Sequence, residues 1–140
     1  MKKVKQLLII DDDKASLRLT KEAVEELCIA EDIICCCTAF NALRYIKENC
    51  LPTLNNQKIF CPELILLDIN MPVIDGYEFL AELHRIEGLR HENTCVVLIS
   101  NSPYTNERER LKYFPIVGYV EKPVNSKKML NVLKNRLQIK

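Results

Sequence analysis

Short runs of consecutive apolar residues alternate along the chain with longer segments in which apolar residues recur every three or four positions. The runs at residues 7–10 and 64–67 are typical of strands buried on both faces of a parallel sheet, and the spacing in residues 17–27 is typical of amphipathic helices. Asp13 and Asp75 each precede a helical segment and are expected to serve as caps or turn residues. The pattern predicts strands at residues 4–10, 33–38, 64–67, 95–100 and 116–120, helices at residues 15–28, 39–49, 77–86, 106–113 and 125–137, and an extended loop at residues 50–62. Five alternations of strand and helix predict a doubly wound α/β fold.

Composition restricts the classes of function. A chain of 140 residues, with 48% hydrophobic and 28% charged residues, suits a single globular domain spanning residues 1–140. The formal net charge of +1 gives no electrostatic footprint for nucleic acid or an anionic membrane. The apolar run after the first lysines is short, and no run reaches the roughly 20 residues of a membrane span. We therefore expect a cytoplasmic protein with no direct nucleic-acid or membrane partner.

The seven cysteines suggest no metal site of usual spacing. Three are consecutive at residues 35–37, where neighbouring side chains of a strand point to opposite faces, and no CxxC pair exists. We expect the cysteines to be small buried hydrophobes that remain reduced. The alternative is a metal centre of Cys50 and Cys61 with His84 or His91.

Polar residues close four of the five predicted strands. Asp11 and Asp12 follow the first strand, Asp68 the third, Ser100 ends the fourth, and Lys122 follows the fifth. The carboxyl ends of parallel strands meet at one edge of a sheet, where α/β proteins place their sites. Three carboxylates gathered there repel one another unless a cation lies among them, which favours a divalent metal.

These residue types together suit phosphoryl chemistry. The Asp68 carboxylate and a phosphoryl group are both negative, so Asp68 is a poor nucleophile by itself. A Mg²⁺ ion held by Asp11 and Asp12 would cancel that repulsion, and Ser100 and Lys122 would bind the remaining phosphoryl oxygens. The expected product is an aspartyl phosphate.

This ordered set resembles the receiver domain of two-component response regulators, from about residue 3 to residue 137. The interval of 22 residues from Ser100 to Lys122 agrees with that family, whereas the 57 residues from Asp11 to Asp68 exceed its usual length. The surplus lies in the predicted loop before the third strand. The resemblance implies a flavodoxin-like, five-stranded parallel sheet of order 2-1-3-4-5 flanked by five helices.

The resemblance also implies roles for the site residues. Asp68 would be the phosphoacceptor, and Asp12 and Asp68 would ligate Mg²⁺ (or Mn²⁺) directly. Asp11 would hold a metal-bound water, and the backbone carbonyl of Asn70 would complete the protein ligands. Lys122 would pair with Asp68 and afterwards hold a phosphoryl oxygen.

Further residues would govern switching and lifetime. By the same resemblance, the Ser100 hydroxyl and the Tyr119 ring would change position on phosphorylation, and the peptide bond before Pro123 would be cis. Asn70 and Ser102 would flank the path of the attacking water and so tune dephosphorylation.

The function implied is a standalone phosphoacceptor switch, which is not an enzyme in the usual sense but catalyses its own phosphorylation and dephosphorylation. The phosphoryl group would come from a histidine kinase or a histidine phosphotransfer protein. A downstream protein would meet the face formed by the predicted fourth helix, fifth strand and fifth helix. That face contains Tyr104, Arg108, Leu111, Tyr119 and Lys127.

Three other functions fit the sequence less well. A hydrolase of the haloacid dehalogenase group also forms aspartyl phosphates, but it needs an acid two residues after the nucleophile, where this chain has Asn70. A binding module that has lost phosphorylation would usually lack an acidic residue or the lysine, whereas this chain keeps all of them. A flavin binder would need a phosphate loop rich in Gly, Ser or Thr after the first strand, and no such loop follows that strand in this sequence.

Overall fold

The computed structural model describes residues 3–51, 61–86, 88–89, 94–101 and 116–136, with side chains to residue 134. Nine elements lie within these residues. They are β1 (Val4–Ile10), α1 (Lys14–Leu27), β2 (Ala30–Cys36), α2 (Ala39–Cys50), β3 (Leu64–Asp68), α3 (Gly76–His84), β4 (Cys95–Ser100), β5 (Ile116–Glu121) and α4 (Ser126–Arg136).

The five strands form one parallel sheet in the order β2-β1-β3-β4-β5. This confirms the predicted fold class and strand order. The helix predicted at residues 106–113 lies outside the described residues, so the helix called α4 here is the one predicted fifth. Of the described helices, none has both the length and the apolar character needed to cross a bilayer.

The three central strands explain the continuous apolar runs. Consecutive residues of β1, β3 and β4 alternate between two hydrophobic cores, one on each face of the sheet. Leu8 and Leu67 join α2 and α3 on one face, whereas Ile9 and Leu66 join α1 and α4 on the other. Because both faces are covered, the central residues of these strands, 7–10, 64–67 and 96–99, are all apolar.

The edge strand β2 begins three residues earlier than predicted. Ala30 pairs with Val4, and the intervening Glu31 and Asp32 are exposed. An edge strand needs no apolar residue on its solvent side, so its first residues carry no hydrophobic signal.

The prediction of reduced, buried cysteines is confirmed for Cys36 but is wrong for five of the seven cysteines. Cys50, at the end of α2, and Cys61, just before β3, form a disulfide with a Cα–Cα distance of 4.6 Å. The end of α2 and the start of β3 are neighbours on the side of the sheet where the strands begin, opposite the predicted site. A separation of 11 residues in the sequence does not reveal this proximity. Cys28, Cys35 and Cys37 are exposed, the last two because they flank the end of the edge strand β2, and Cys36 is buried.

Candidate phosphoryl-transfer site

Three carboxylates meet at the carboxyl edge of the sheet. β1 and β3 are neighbours, with Ile10 opposite Leu67, so the residues that follow or end these strands converge. Carboxylate oxygens of Asp11, Asp12 and Asp68 lie within 4.8 Å of one another. Asp11 and Asp68 are each only 1% exposed, whereas Asp12 is exposed to solvent.

The ammonium of Lys122 reaches two of these carboxylates. Its Nζ lies 3.2 Å from Asp11 Oδ2 and 3.4 Å from Asp68 Oδ2. Asp11 Oδ2 is nevertheless buried without a hydrogen bond, so its contact with Lys122 is an ion pair of poor hydrogen-bond direction. One ammonium against three carboxylates leaves the cluster with two formal negative charges in excess.

Burial and charge alter the proton affinities of the site. Burial first, and then the neighbouring Asp11 charge, raise the pKa of Asp68 to about 6, against the lowering effects of the Asn70 backbone N–H and Lys122. Burial works to lower the pKa of Lys122, but the charges of Asp11 and Asp68 outweigh it and raise that pKa above its usual value. Asp68 is thus more basic than an ordinary carboxylate, and Lys122 stays charged.

The hydroxyl of Ser100 is held by Asn70. Ser100, the last residue of β4, donates a hydrogen bond of 2.9 Å to Asn70 Oδ1, which also accepts one of 3.2 Å from the Asn101 backbone N–H. Asn70 in turn donates its backbone N–H to Asp68 Oδ1 at 3.0 Å. The side-chain link was not predicted, because it joins residues 30 positions apart that the sheet alone brings together.

Local capping fixes the two loops that carry the acids. Asp13 caps α1 by accepting from the Ala15 N–H, and Asp75 forms a capping box with Glu78 at the start of α3. These contacts confirm the capping roles. Gly76 lies so close to Ile69 that a Cβ added to Gly76 would fall 2.7 Å from the Cα of Ile69.

The remaining predicted residues are only partly described. The peptide bond before Pro123 is cis, the geometry that the resemblance implied. Tyr119 is half-buried on β5, and Lys127 is exposed in the first turn of α4. Ser102, Tyr104, Arg108 and Leu111 lie outside the described residues.

The donor set suits a hard divalent cation. Carboxylate oxygens are ligands that Mg²⁺ prefers, and Asp11 Oδ2 is a buried oxygen without a hydrogen bond. The excess negative charge of the three carboxylates over the Lys122 ammonium favours binding of a cation among them. In the described part of the chain, this is the one group of three or more His, Cys, Asp or Glu residues close enough to hold a metal. The alternative centre of Cys50 and Cys61 is contradicted by their disulfide.

Known proteins are similar to this chain in both sequence and fold. The family described as response regulator receiver domain matches residues 7–134. The polar-differentiation response regulator DivK of Brucella anthropi is 23% identical over 133 residues, which are 95% of this chain and 96% of that protein. The probable transcriptional regulator ycf29 of Pyropia yezoensis is 31% identical over 91 residues, 65% of this chain but only 40% of that regulator.

A solved two-component response regulator from Cytophaga hutchinsonii superimposes with a TM-score of 0.79 at 22% identity, covering 99% of this chain and all of that one. At that level of identity, the match shows a common fold. The family match extends from within β1 into α4 and includes the acidic cluster, Ser100 and Lys122. The chain therefore belongs to the response regulator receiver domain family.

Proposed function

We propose that this receiver domain is a phosphoacceptor switch of a two-component phosphorelay, with Asp68 as the phosphoacceptor. The observation that carries the proposal is the position of the buried Asp68 carboxylate between two further acids and the Lys122 ammonium. Burial raises the pKa of Asp68 to about 6, so in the absence of a metal its carboxylate is more basic than an ordinary one.

The phosphoryl group comes from the imidazole of a histidine kinase or a histidine phosphotransfer protein. A carboxylate oxygen of Asp68 forms a bond to phosphorus while the bond from phosphorus to the imidazole nitrogen breaks, and the imidazole leaves with the electron pair. Mg²⁺ or Mn²⁺, held by Asp12 and Asp68, by Asp11 through water and by the Asn70 carbonyl, would offset the charge of donor and acceptor.

Lys122 provides the second positive charge. Before transfer its ammonium pairs with Asp68 Oδ2, and after transfer it binds a phosphoryl oxygen. Because burial and two carboxylates already orient this ammonium, little reorganisation is needed when charge builds up on the phosphoryl group. The domain in this way catalyses its own phosphorylation.

Switching begins with the hydrogen bond between Ser100 and Asn70. In the structure the Ser100 hydroxyl donates to Asn70 Oδ1, so it must leave that acceptor to reach a phosphoryl oxygen. Asn70 therefore holds the unphosphorylated position of Ser100, and Tyr119 on the next strand responds to the change.

Asn70 and Ser102 also set the lifetime of the phosphoryl group. The altered face, with Tyr104, Arg108, Leu111, Tyr119 and Lys127, then meets the downstream partner.

The proposal is tested by incubating the chain with Mg²⁺ and acetyl phosphate and measuring intact mass. We expect one phosphoryl group that is stable in acid and labile in base. Asp68→Asn should abolish it, whereas Asp32→Asn, which removes the same charge from an exposed position on β2, should not. Undiminished labelling of Asp68→Asn would overturn the assignment.

The source of the phosphoryl group needs a separate experiment. A phosphotransfer domain carrying labelled phosphohistidine should pass its label to the wild-type chain and to Asp32→Asn, but not to Asp68→Asn. A chain that accepts the group from acetyl phosphate but from no histidine donor would limit the proposal to self-phosphorylation.

A further inference from the structure

Lys128 lies where the helix dipole opposes its charge. It is the third residue of α4, and its backbone N–H donates to Asn125 Oδ1 at 2.8 Å, which makes Asn125 the cap. The first turn contains no acidic residue. Cations near a helix N-terminus are mildly unfavourable, so the helix itself gives this ammonium no stabilising partner.

The ammonium of Lys128 instead contacts the backbone beside Lys122. Lys128 Nζ donates to the carbonyl oxygen of Glu121 at 3.1 Å and to that of Pro123 at 2.9 Å. These carbonyls belong to the residues immediately before and after Lys122. The Lys122 N–H itself donates to the Ser100 carbonyl oxygen at 2.7 Å.

We propose that Lys128 is a positioning residue for Lys122. By binding the backbone on both sides of Lys122, it keeps that residue's ammonium within reach of Asp11 and Asp68. This inference rests on the proposed function, because it concerns the group that receives the phosphoryl oxygen. It predicts that the contribution of Lys128 to phosphoryl transfer passes through Lys122 and not through the general charge of α4.

The test compares rates of phosphorylation by acetyl phosphate at saturating Mg²⁺. Lys128→Met removes the donor but keeps the length of the side chain, and we expect phosphorylation about three- to tenfold slower. Lys128→Arg, which keeps a charged donor, should recover most of the rate. Lys134→Met is the matched control, because it removes the same charge from an exposed position of the same helix, and its rate should stay within about twofold of wild type.

Two further measurements separate positioning from general damage. The Mg²⁺ affinity of Lys128→Met should remain within about twofold of wild type, since Lys128 contacts none of the acids. In a Lys122→Met background, adding Lys128→Met should change the rate less than about twofold. Loss of Mg²⁺ affinity, or an equal effect in both backgrounds, would overturn the proposal.

A last measurement does not depend on phosphorylation. The Lys122 amide should exchange its hydrogen faster in Lys128→Met than in Lys134→Met, because its bond to the Ser100 carbonyl loses support. If the wild-type chain accepts no phosphoryl group, the proposed function fails, and this exchange rate still tests the contact. If the chain is phosphorylated and Lys128→Met behaves as wild type in rate and exchange, the positioning role fails alone.

Discussion

Replacing Asp68, the proposed phosphoacceptor, by its neutral isostere Asn should stabilise the domain when no divalent cation is present. The folded-state pKa of Asp68 is about 6, against the usual 3.8, which corresponds to about 3 kcal/mol at 1.36 kcal/mol for each pH unit. This penalty for ionising Asp68 in the fold already includes the favourable charge of Lys122. Asn resembles the protonated acid and keeps an oxygen for the Asn70 N–H.

The sign of the pH dependence follows from proton uptake. Because its folded-state pKa is the higher one, the Asp68 carboxyl binds more protons in the folded state than in the unfolded state between about pH 4 and pH 6. The contribution of Asp68 to stability therefore falls as the pH rises through this window, and the full penalty applies above it. Asp68→Asn lacks this contribution.

Urea unfolding in EDTA at pH 4.5 and pH 7.5 measures the effect. Asp68→Asn should exceed wild type by roughly 1–3 kcal/mol at pH 7.5, and the gain should shrink to less than half of this at pH 4.5. Asp32→Asn should stay within about 0.5 kcal/mol of wild type at both values. An advantage of Asp68→Asn that is absent, or equal at the two pH values, would refute the electrostatic reasoning.

Three further changes test separate features. Millimolar Mg²⁺ should raise the Tm of wild type and leave Asp12→Asn unchanged in a thermal melt, because binding to the folded acidic cluster alone stabilises it; equal shifts in both would contradict the metal site. The double variant Cys50→Ser, Cys61→Ser should lose roughly 3 kcal/mol of unfolding free energy in urea, since the disulfide closes a loop in the unfolded chain; thiol titration that finds all seven cysteines free in the oxidised protein would remove its basis. Val73→Asn should gain about 1 kcal/mol in the same assay, because Val73 is 84% exposed with a φ of 66°, a conformation that Asn tolerates better than a β-branched residue; a loss of stability would show that Val73 makes a compensating contact.

The five strands and the acidic cluster were predictable because each depends on a signal written along the chain, whereas the strand order came from the resemblance to the receiver family. The runs of β1 and β3 are apolar at every position, and the acids at their ends needed only parallel pairing to meet. Contacts between distant side chains left no such signal. The bond from Ser100 to Asn70 and the bonds from Lys128 to the loop at Lys122 depend on side-chain direction after folding. The disulfide between Cys50 and Cys61 likewise depends on the fold, which brings the end of α2 next to the start of β3.

The two halves of the site lie on strands of unequal burial. Every residue of β3, which ends in Asp68, is buried between two neighbouring strands, whereas β5, which precedes Lys122, lies at the edge of the sheet and is only partly covered. Because few buried contacts accompany low local stability, we expect the backbone before Lys122 to open to solvent more readily than the backbone before Asp68. If the proposed phosphorylation of Asp68 displaces either strand, we therefore expect the displacement at β5 and at the helix α4 that packs against it. By the same reasoning, a partner that binds β5 or α4 should shift Lys122 more than Asp11 or Asp68.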